Sequence, residues 1–134
     1  MTMPRDKKTG VVFFAHGSSI ESANQAVREV ARAAAARCGF ELWSEAFLES
    51  GRPDLGGAVT ALVAAGAVRI VVVPYFLTLG LHLQRDLPRL AADVARRHEG
   101  VEIICGEPLD GHPALVEILA ERAEQALRKP ATRS

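Results

Sequence analysis

Four short apolar segments alternate with amphipathic segments along the 134-residue chain. The apolar segments lie at residues 11–15, 41–48, 69–74 and 101–105. The third of them, RIVVVP, is almost continuously β-branched. Such a run is typical of a strand covered on both faces, and strands of that kind belong to parallel sheets. We therefore predict one β-strand in each segment.

A helical pattern of apolar residues follows each predicted strand. The first helix is expected to stop at Gly39, and Asp54 is expected to be the N-cap of the second. Asp86, just before Leu87-Pro88, is predicted to cap the third helix, which ends near Gly100. The side chains of the fourth helix that we expect to face inward are Leu115, Val116, Leu119, Ala123 and Leu127.

The repeated order of strand and helix predicts an α/β fold, with a four-stranded parallel sheet and right-handed crossovers. No linker or low-complexity segment interrupts the pattern, so residues 1–134 are predicted to form a single domain, with flexible tails at 1–10 and 129–134. A sheet of four strands is open at its edges. One edge or face is expected to be closed by a second copy of the chain.

Composition and charge exclude several classes of function. Lys plus Arg and Asp plus Glu both number 16, and no basic block is present, which argues against nucleic acid as a partner. No apolar run approaches the length of a membrane span, and MTMPRDKKTG lacks the apolar core of a signal peptide, so we expect a cytoplasmic protein. Cys38 and Cys105 are interpreted as core residues.

Polar residues follow the ends of three predicted strands. His16 ends the first, Glu49 follows the second, and His82 lies in an apolar loop after the third. Ligands bind beyond the carboxyl ends of strands in open α/β sheets. Two imidazoles and one carboxylate suit divalent cobalt, iron, nickel or zinc, and three protein ligands leave coordination positions open for chemistry. Glu45 is an alternative acidic ligand, because it shares the alternating face of Glu49.

The same residues have structural interpretations that stay open. His16 could be a core histidine bonded to a carbonyl, and Glu49 could be a solvated loop acid. Gly17 permits positive φ or a close backbone approach. Ser18 and Ser19 could cap the next helix, or the free N–H groups at that helix terminus could bind an anion.

Three motifs in order resemble a known enzyme family. FAHGSS follows the first strand, EAFLE ends the second, and VVVPYFLTLGLHLQRDLP spans the third strand and its loop. Together they resemble the short form of the class II, ATP-independent tetrapyrrole chelatases, which are the sirohydrochlorin cobaltochelatases and ferrochelatases. The likeness extends from Val11 to about Leu127.

The resemblance implies a flavodoxin-like domain with helices on both faces of the sheet. It implies insertion of Co²⁺ or Fe²⁺ into sirohydrochlorin, in cobalamin or siroheme biosynthesis, with no tightly bound cofactor. His16, Glu49 and His82 match the residues that the family uses for metal binding and catalysis. Longer relatives carry two such domains, so the short form implies a homodimer.

Other residues are assigned to the acetate and propionate groups of such a substrate. We expect Gly17, Ser18, Ser19 and Arg85 to receive these carboxylates, through a helix N-terminus and a guanidinium group. A phosphoryl-transfer enzyme would place arginine where Ala15 stands, and the chain has no G-x-S-x-G of a serine hydrolase. A carrier of metal or tetrapyrrole without catalysis remains an alternative, because it needs the same cleft.

Overall fold

The computed structural model describes residues 8–132, which form four strands and four helices in strict alternation. The strands are β1 (Thr9–Ala15), β2 (Leu42–Phe47), β3 (Arg69–Tyr75) and β4 (Glu102–Cys105). The helices are α1 (Glu21–Cys38), α2 (Leu55–Ala64), α3 (Leu81–Arg96) and α4 (Ala114–Leu127). Of the two predicted tails, residues 1–7 and 133–134 lie outside the described residues, whereas Thr9 and Gly10 already belong to β1.

The four strands form one parallel sheet in the order β2-β1-β3-β4. Ala15, the last residue of β1, pairs with Phe47 on one side and Tyr75 on the other. The carboxyl ends of three strands therefore meet at one edge of the sheet. This arrangement confirms the predicted α/β fold with a four-stranded parallel sheet.

The main hydrophobic core lies on the face of the sheet that α2 and α3 cover. Because side chains alternate along a strand, every second residue of β1 and β3 points into this core. The largest of its fully buried side chains are Phe14, Leu55, Ile70, Val12, Val59, Val72 and Val94. Helix α2 is held at its start by Asp54, whose side chain accepts a hydrogen bond from the Gly57 N–H at 2.8 Å, as predicted for an N-cap.

The opposite face is covered only in part. Helix α1 lies over β1 and β2, and ends at Gly39, which adopts the left-handed conformation expected of a C-cap. On this face the side chains of Val71, Val73 and Tyr75 on β3 remain only half-buried. The open part of the sheet is therefore the part that lies beyond α1.

Helix α4 does not pack inward, so the predicted inward face is wrong. It has no buried residue, and it makes no extensive contact with any other helix or strand of residues 8–132. Val116 and Leu119 are each 69% exposed, and Leu127 is 79% exposed. The apolar stripe exists as the periodicity indicated, but nothing within the described chain covers it.

Helix α3 begins six residues earlier than predicted. Its N-cap is Gly80, so Asp86 lies inside the helix and is not a cap. The reason is packing, because Leu83 already contacts the core that Leu87 enters one turn later. His82 is consequently on the first turn of α3 and not in a loop. No helix formed by residues 8–132 is both long and apolar enough to cross a membrane.

Candidate functional site

His16 and Glu49 meet at the carboxyl edge of the sheet. The pairing of β1 with β2 continues past both strands, since the Leu48 N–H donates to the Ala15 carbonyl at 2.9 Å and the Glu49 N–H donates to the His16 carbonyl at 3.0 Å. The two side chains also touch, with His16 Nε2 lying 3.0 Å from Glu49 Oε2. Backbone and side chain together fix the position of this pair.

The contact determines how the His16 ring is presented. An ionised carboxylate only accepts hydrogen bonds, so in the neutral ring Nε2 of His16 donates to Glu49 and Nδ1 keeps its lone pair. The ring also lies edge-on to Phe76, at 6.4 Å between centroids. Both partners remain open to solvent, with side chains 57% and 66% exposed. The pair can therefore bind a cation or accept a proton from a ligand at this edge.

Glu45, the alternative acid, is engaged elsewhere. Its side chain is only 19% exposed, and its carboxylate accepts a hydrogen bond from Arg28 Nε at 3.2 Å. Arg28 also donates to Glu21 at 2.5 Å, and this hydrogen bond is the main reason that the pKa of the guanidinium is raised. Glu45 belongs to an ion pair beneath α1, whereas Glu49 is the acid that contacts His16.

Gly17 allows two loops to approach each other. Its φ is +90°, and a Cβ at this position would lie 2.2 Å from the Ser50 carbonyl oxygen. The glycine after His16 therefore makes room for the backbone of the neighbouring loop, and that loop contains Glu49. Of the interpretations that the sequence left open for Gly17, the structure combines both positive φ and close backbone approach.

Asn24 connects the same two loops through its side chain. The sequence analysis did not identify it as a residue of the site. It is 2% exposed, its Oδ1 accepts from the Ser18 N–H at 2.9 Å, and its Nδ2 donates to the carbonyls of Ser18 at 2.8 Å and Ser50 at 3.3 Å. A signal was available, because Asn24 shares the inward stripe of α1 with Ala31 and Ala35. A polar residue on a buried stripe needs partners.

The two serines after Gly17 differ in their surroundings. The Ser18 hydroxyl accepts from the Ile20 N–H at 3.0 Å, and its own N–H is bound by Asn24. The N-cap of α1 is Ile20, so neither serine is the side-chain cap that one interpretation expected. Ser19 is exposed. Of the two, Ser19 is the one whose side chain is open to a ligand.

His82 is not joined to the pair. It lies exposed on the first turn of α3, and its Nδ1 accepts a hydrogen bond from Arg85 Nη2 at 3.0 Å. Within residues 8–132, no three His, Cys, Asp or Glu side chains are arranged as a group that could hold a metal ion. The structure brings together His16 and Glu49 of the predicted set, and the full set with His82 stays a prediction.

Two clefts lie at the same edge of the sheet, and His82 lines the smaller of them. One, of about 550 Å³, lies between the loops that follow β3 and β4, and the other, of about 500 Å³, is lined by Leu81, His82, Gln84 and Arg85. Gln84 lines both. Cys105 also faces the larger cleft, and partial burial raises the pKa of its thiol.

The CbiX family profile matches residues 10–126 of the chain. The chain belongs to the CbiX family. This CbiX chain is 33% identical to the sirohydrochlorin cobaltochelatase of Sulfurisphaera tokodaii over 125 residues, which are 93% of this chain and 98% of that protein. The predicted resemblance to the short-form class II chelatases is thereby confirmed.

Longer proteins also match. The CbiX chain is 30% identical to the chloroplastic sirohydrochlorin ferrochelatase of Arabidopsis thaliana over 118 residues, which cover 88% of this chain and 52% of the relative. The structure of SirB from Bacillus subtilis with Fe³⁺ superposes with a TM-score of 0.82 at 27% identity, covering 92% of this chain and 48% of that one. The chain spans about half the length of both proteins.

Proposed function

We propose that this CbiX protein inserts Co²⁺ or Fe²⁺ into sirohydrochlorin without ATP, as a step in cobalamin or siroheme biosynthesis. The observation that carries the proposal is the 3.0 Å contact between His16 Nε2 and Glu49 Oε2 at the carboxyl edge of the sheet. The relatives from Sulfurisphaera tokodaii and Arabidopsis thaliana, a cobaltochelatase and a ferrochelatase for sirohydrochlorin, support both the substrate and the two metals.

Metal insertion exchanges two protons for one cation. Two N–H bonds of the macrocycle break, metal–nitrogen bonds form, and both protons leave. Nδ1 of His16 offers a lone pair to the first proton, and Glu49 stabilises the imidazolium that results, because it already accepts from Nε2. Before transfer, imidazole and carboxylate are also suitable donors for the incoming Co²⁺ or Fe²⁺.

His82 is proposed as the third member of the site. It follows β3 and lies on the first turn of α3, while His16 follows β1 and Glu49 follows β2. Because these parallel strands end at one edge, all three residues belong to the same rim of the sheet. A second imidazole would share the cation with the pair during transfer, or receive the second proton.

The carboxylates of the substrate are assigned to two exposed groups, Ser19 and Arg85. A guanidinium binds a carboxylate through two parallel hydrogen bonds, and a hydroxyl donates one. The other predicted substrate contacts, Gly17 and Ser18, act through the shape of the loop, since Gly17 admits the Ser50 backbone and Ser18 is held by Asn24.

A homodimer is proposed as the working form. Support comes from two exposed apolar surfaces, the stripe on α4 and the part of the sheet beyond α1, which a second copy would cover. The lengths of the relatives also support a homodimer. The Arabidopsis enzyme, of which this chain covers 52%, has room for two such domains.

The cytoplasmic location stays a prediction. It is supported by the composition of the chain, by the lack of a spanning helix among residues 8–132, and by a reaction whose substrates are a small ion and a polycarboxylate. Detection of the intact protein in the membrane-free soluble fraction of disrupted cells would test it.

An insertion assay tests the proposed activity and separates a catalyst from a carrier. Purified protein is mixed without oxygen with sirohydrochlorin and either Co²⁺ or Fe²⁺, both in large excess over the protein. The absorbance change is followed against one sample without protein and one that contains the H16A variant. A catalyst accelerates many turnovers per chain. A carrier gives at most one stoichiometric change, and that result would contradict the proposal.

A further inference from the structure

Arg85 lies against the histidine that the proposed function needs. Both residues are exposed on α3, three positions apart, so they share one side of the helix. Arg85 Nη2 is 3.0 Å from His82 Nδ1, and its Nε is 3.5 Å from Asp86 Oδ1. The guanidinium therefore spans the ring of His82 and one carboxylate oxygen.

The direction of this hydrogen bond decides what His82 can bind. A guanidinium only donates, so Nδ1 of His82 is the acceptor and Nε2 of the neutral ring carries the proton. While the contact lasts, Nδ1 is occupied and Nε2 has no lone pair to offer. A cation can bind His82 through either nitrogen only after Arg85 has moved away.

A substrate carboxylate is a better partner for Arg85 than the ring. It forms two charge-assisted hydrogen bonds with a guanidinium, whereas the neutral imidazole accepts one. Arg85 is also exposed, so a carboxylate can reach it without disturbing the core. Binding of the macrocycle would consequently draw Arg85 off His82.

We propose that Arg85 is a positioning residue that withholds His82 from the metal until a carboxylate of the tetrapyrrole engages it. The inference rests on the proposed function and adds an order of events to it. His16 and Glu49 are accessible to the cation from the start, and His82 joins after the macrocycle binds. Metal and macrocycle then bind with positive coupling, which is reciprocal by linkage.

The first test measures the affinity for Co²⁺ alone by titration calorimetry. R85Q removes the guanidinium that competes with the metal for His82. We therefore expect the R85Q variant to bind Co²⁺ about threefold to tenfold more tightly than the wild type. R89Q removes the same charge one turn along α3 and should change the affinity less than about twofold. Unchanged or weaker binding by R85Q would overturn the proposal.

A double variant separates the contact from a general effect of charge. In an H82A background the substitution R85Q should no longer tighten Co²⁺ binding, because the ring that Arg85 occupies is gone. If the gain persists without His82, then Arg85 acts on the cation by repulsion and the proposed competition is wrong. Circular dichroism of each variant confirms that the comparison is between folded proteins.

The second test uses metal-free sirohydrochlorin and its fluorescence. R85Q should bind the macrocycle about tenfold more weakly, and R85K should recover part of the loss, since lysine keeps the charge but not the paired donors. Equal affinities for wild type and R85Q would refute the inference alone. A wild-type protein that binds neither Co²⁺ nor sirohydrochlorin would refute the proposed function and the inference with it.

Discussion

Glu49 is connected to His16 twice, once through its backbone N–H and once through its side chain. The N–H donates to the His16 carbonyl at 3.0 Å, and Oε2 lies 3.0 Å from Nε2 of the ring. The backbone contact extends the pairing of β1 with β2, so the carboxylate is placed by the sheet itself and not by a mobile loop alone. Proton transfer requires its partners within hydrogen-bond reach, and the pairing of the two strand ends brings these two residues that close.

Replacement of either histidine by alanine should remove metal insertion without unfolding the protein. His16 and His82 are both exposed, so H16A and H82A are expected to change the free energy of unfolding by less than about 0.5 kcal/mol. Loss of a proton acceptor or ligand should lower the insertion rate by about 100-fold or more. Insertion assays and urea unfolding measure the two effects. Full activity in either variant would refute the assignment.

Glutamine substitution at the two acids should distinguish them. E49Q keeps the shape of the side chain but loses the charge beside His16, and we expect insertion to fall strongly while stability is retained. E45Q weakens the half-buried ion pair with Arg28, which should cost about 1 kcal/mol of stability and leave insertion near the wild-type rate. An inactive E45Q beside an active E49Q would reverse the assignment of the acids.

The fold was predictable because its signals are local. Apolar, β-branched segments mark the strands, Asp54 marks a helix start, and Gly39 marks a helix end, each through neighbours in sequence. The predicted start of α3 was wrong because Asp86, two residues before Pro88, has the sequence pattern of an N-cap. Only tertiary contact by Leu83 shows that the helix begins earlier.

The site was predictable in its residue types and less so in its contacts. The end of β1 and the end of β2 could be located from apolar runs, which placed His16 and Glu49 at one rim. The alternation of side chains along a strand could not distinguish Glu45 from Glu49 as the acid of the site. The distinction depends on Arg28, which reaches Glu45 from α1. The stripe on α4 revealed that the helix is amphipathic, but a periodicity does not say what covers it.

Alanine at position 17 should destabilise the protein through two effects. A Cβ there would meet the Ser50 carbonyl at 2.2 Å, and φ of +90° is strained for any residue with a side chain. We expect G17A to cost about 3 kcal/mol. G100A is the matched control, since Gly100 has φ of +80° with nothing within 4 Å of the added atom, and should cost only about 1 kcal/mol. Equal losses would show that the close approach is unimportant.

Removal of the Asn24 side chain should loosen both loops of the site. N24A leaves the Ser18 N–H and the carbonyls of Ser18 and Ser50 without their side-chain partner. We expect the free energy of unfolding to fall by about 2–3 kcal/mol. The insertion rate should also fall, because His16 and Glu49 lose their alignment. S22A, at an exposed position in the same turn of α1, should change stability by less than about 0.5 kcal/mol. Chemical denaturation and the insertion assay measure both quantities, and a fully stable N24A would contradict the role given to these bonds.

The proposed homodimer makes a prediction about α4. Leu119 is 69% exposed in the single chain, so L119K should not affect folding, but it would place a charge in an apolar contact between two copies. We expect the dimer dissociation constant to rise by about 30-fold or more in sedimentation experiments. E121K introduces the same lysine on the opposite side of the helix, since two residues correspond to about 200° of rotation, and should leave the dimer intact. A monomeric wild type, or a dimer that tolerates L119K as well as E121K, would show that α4 is not the contact.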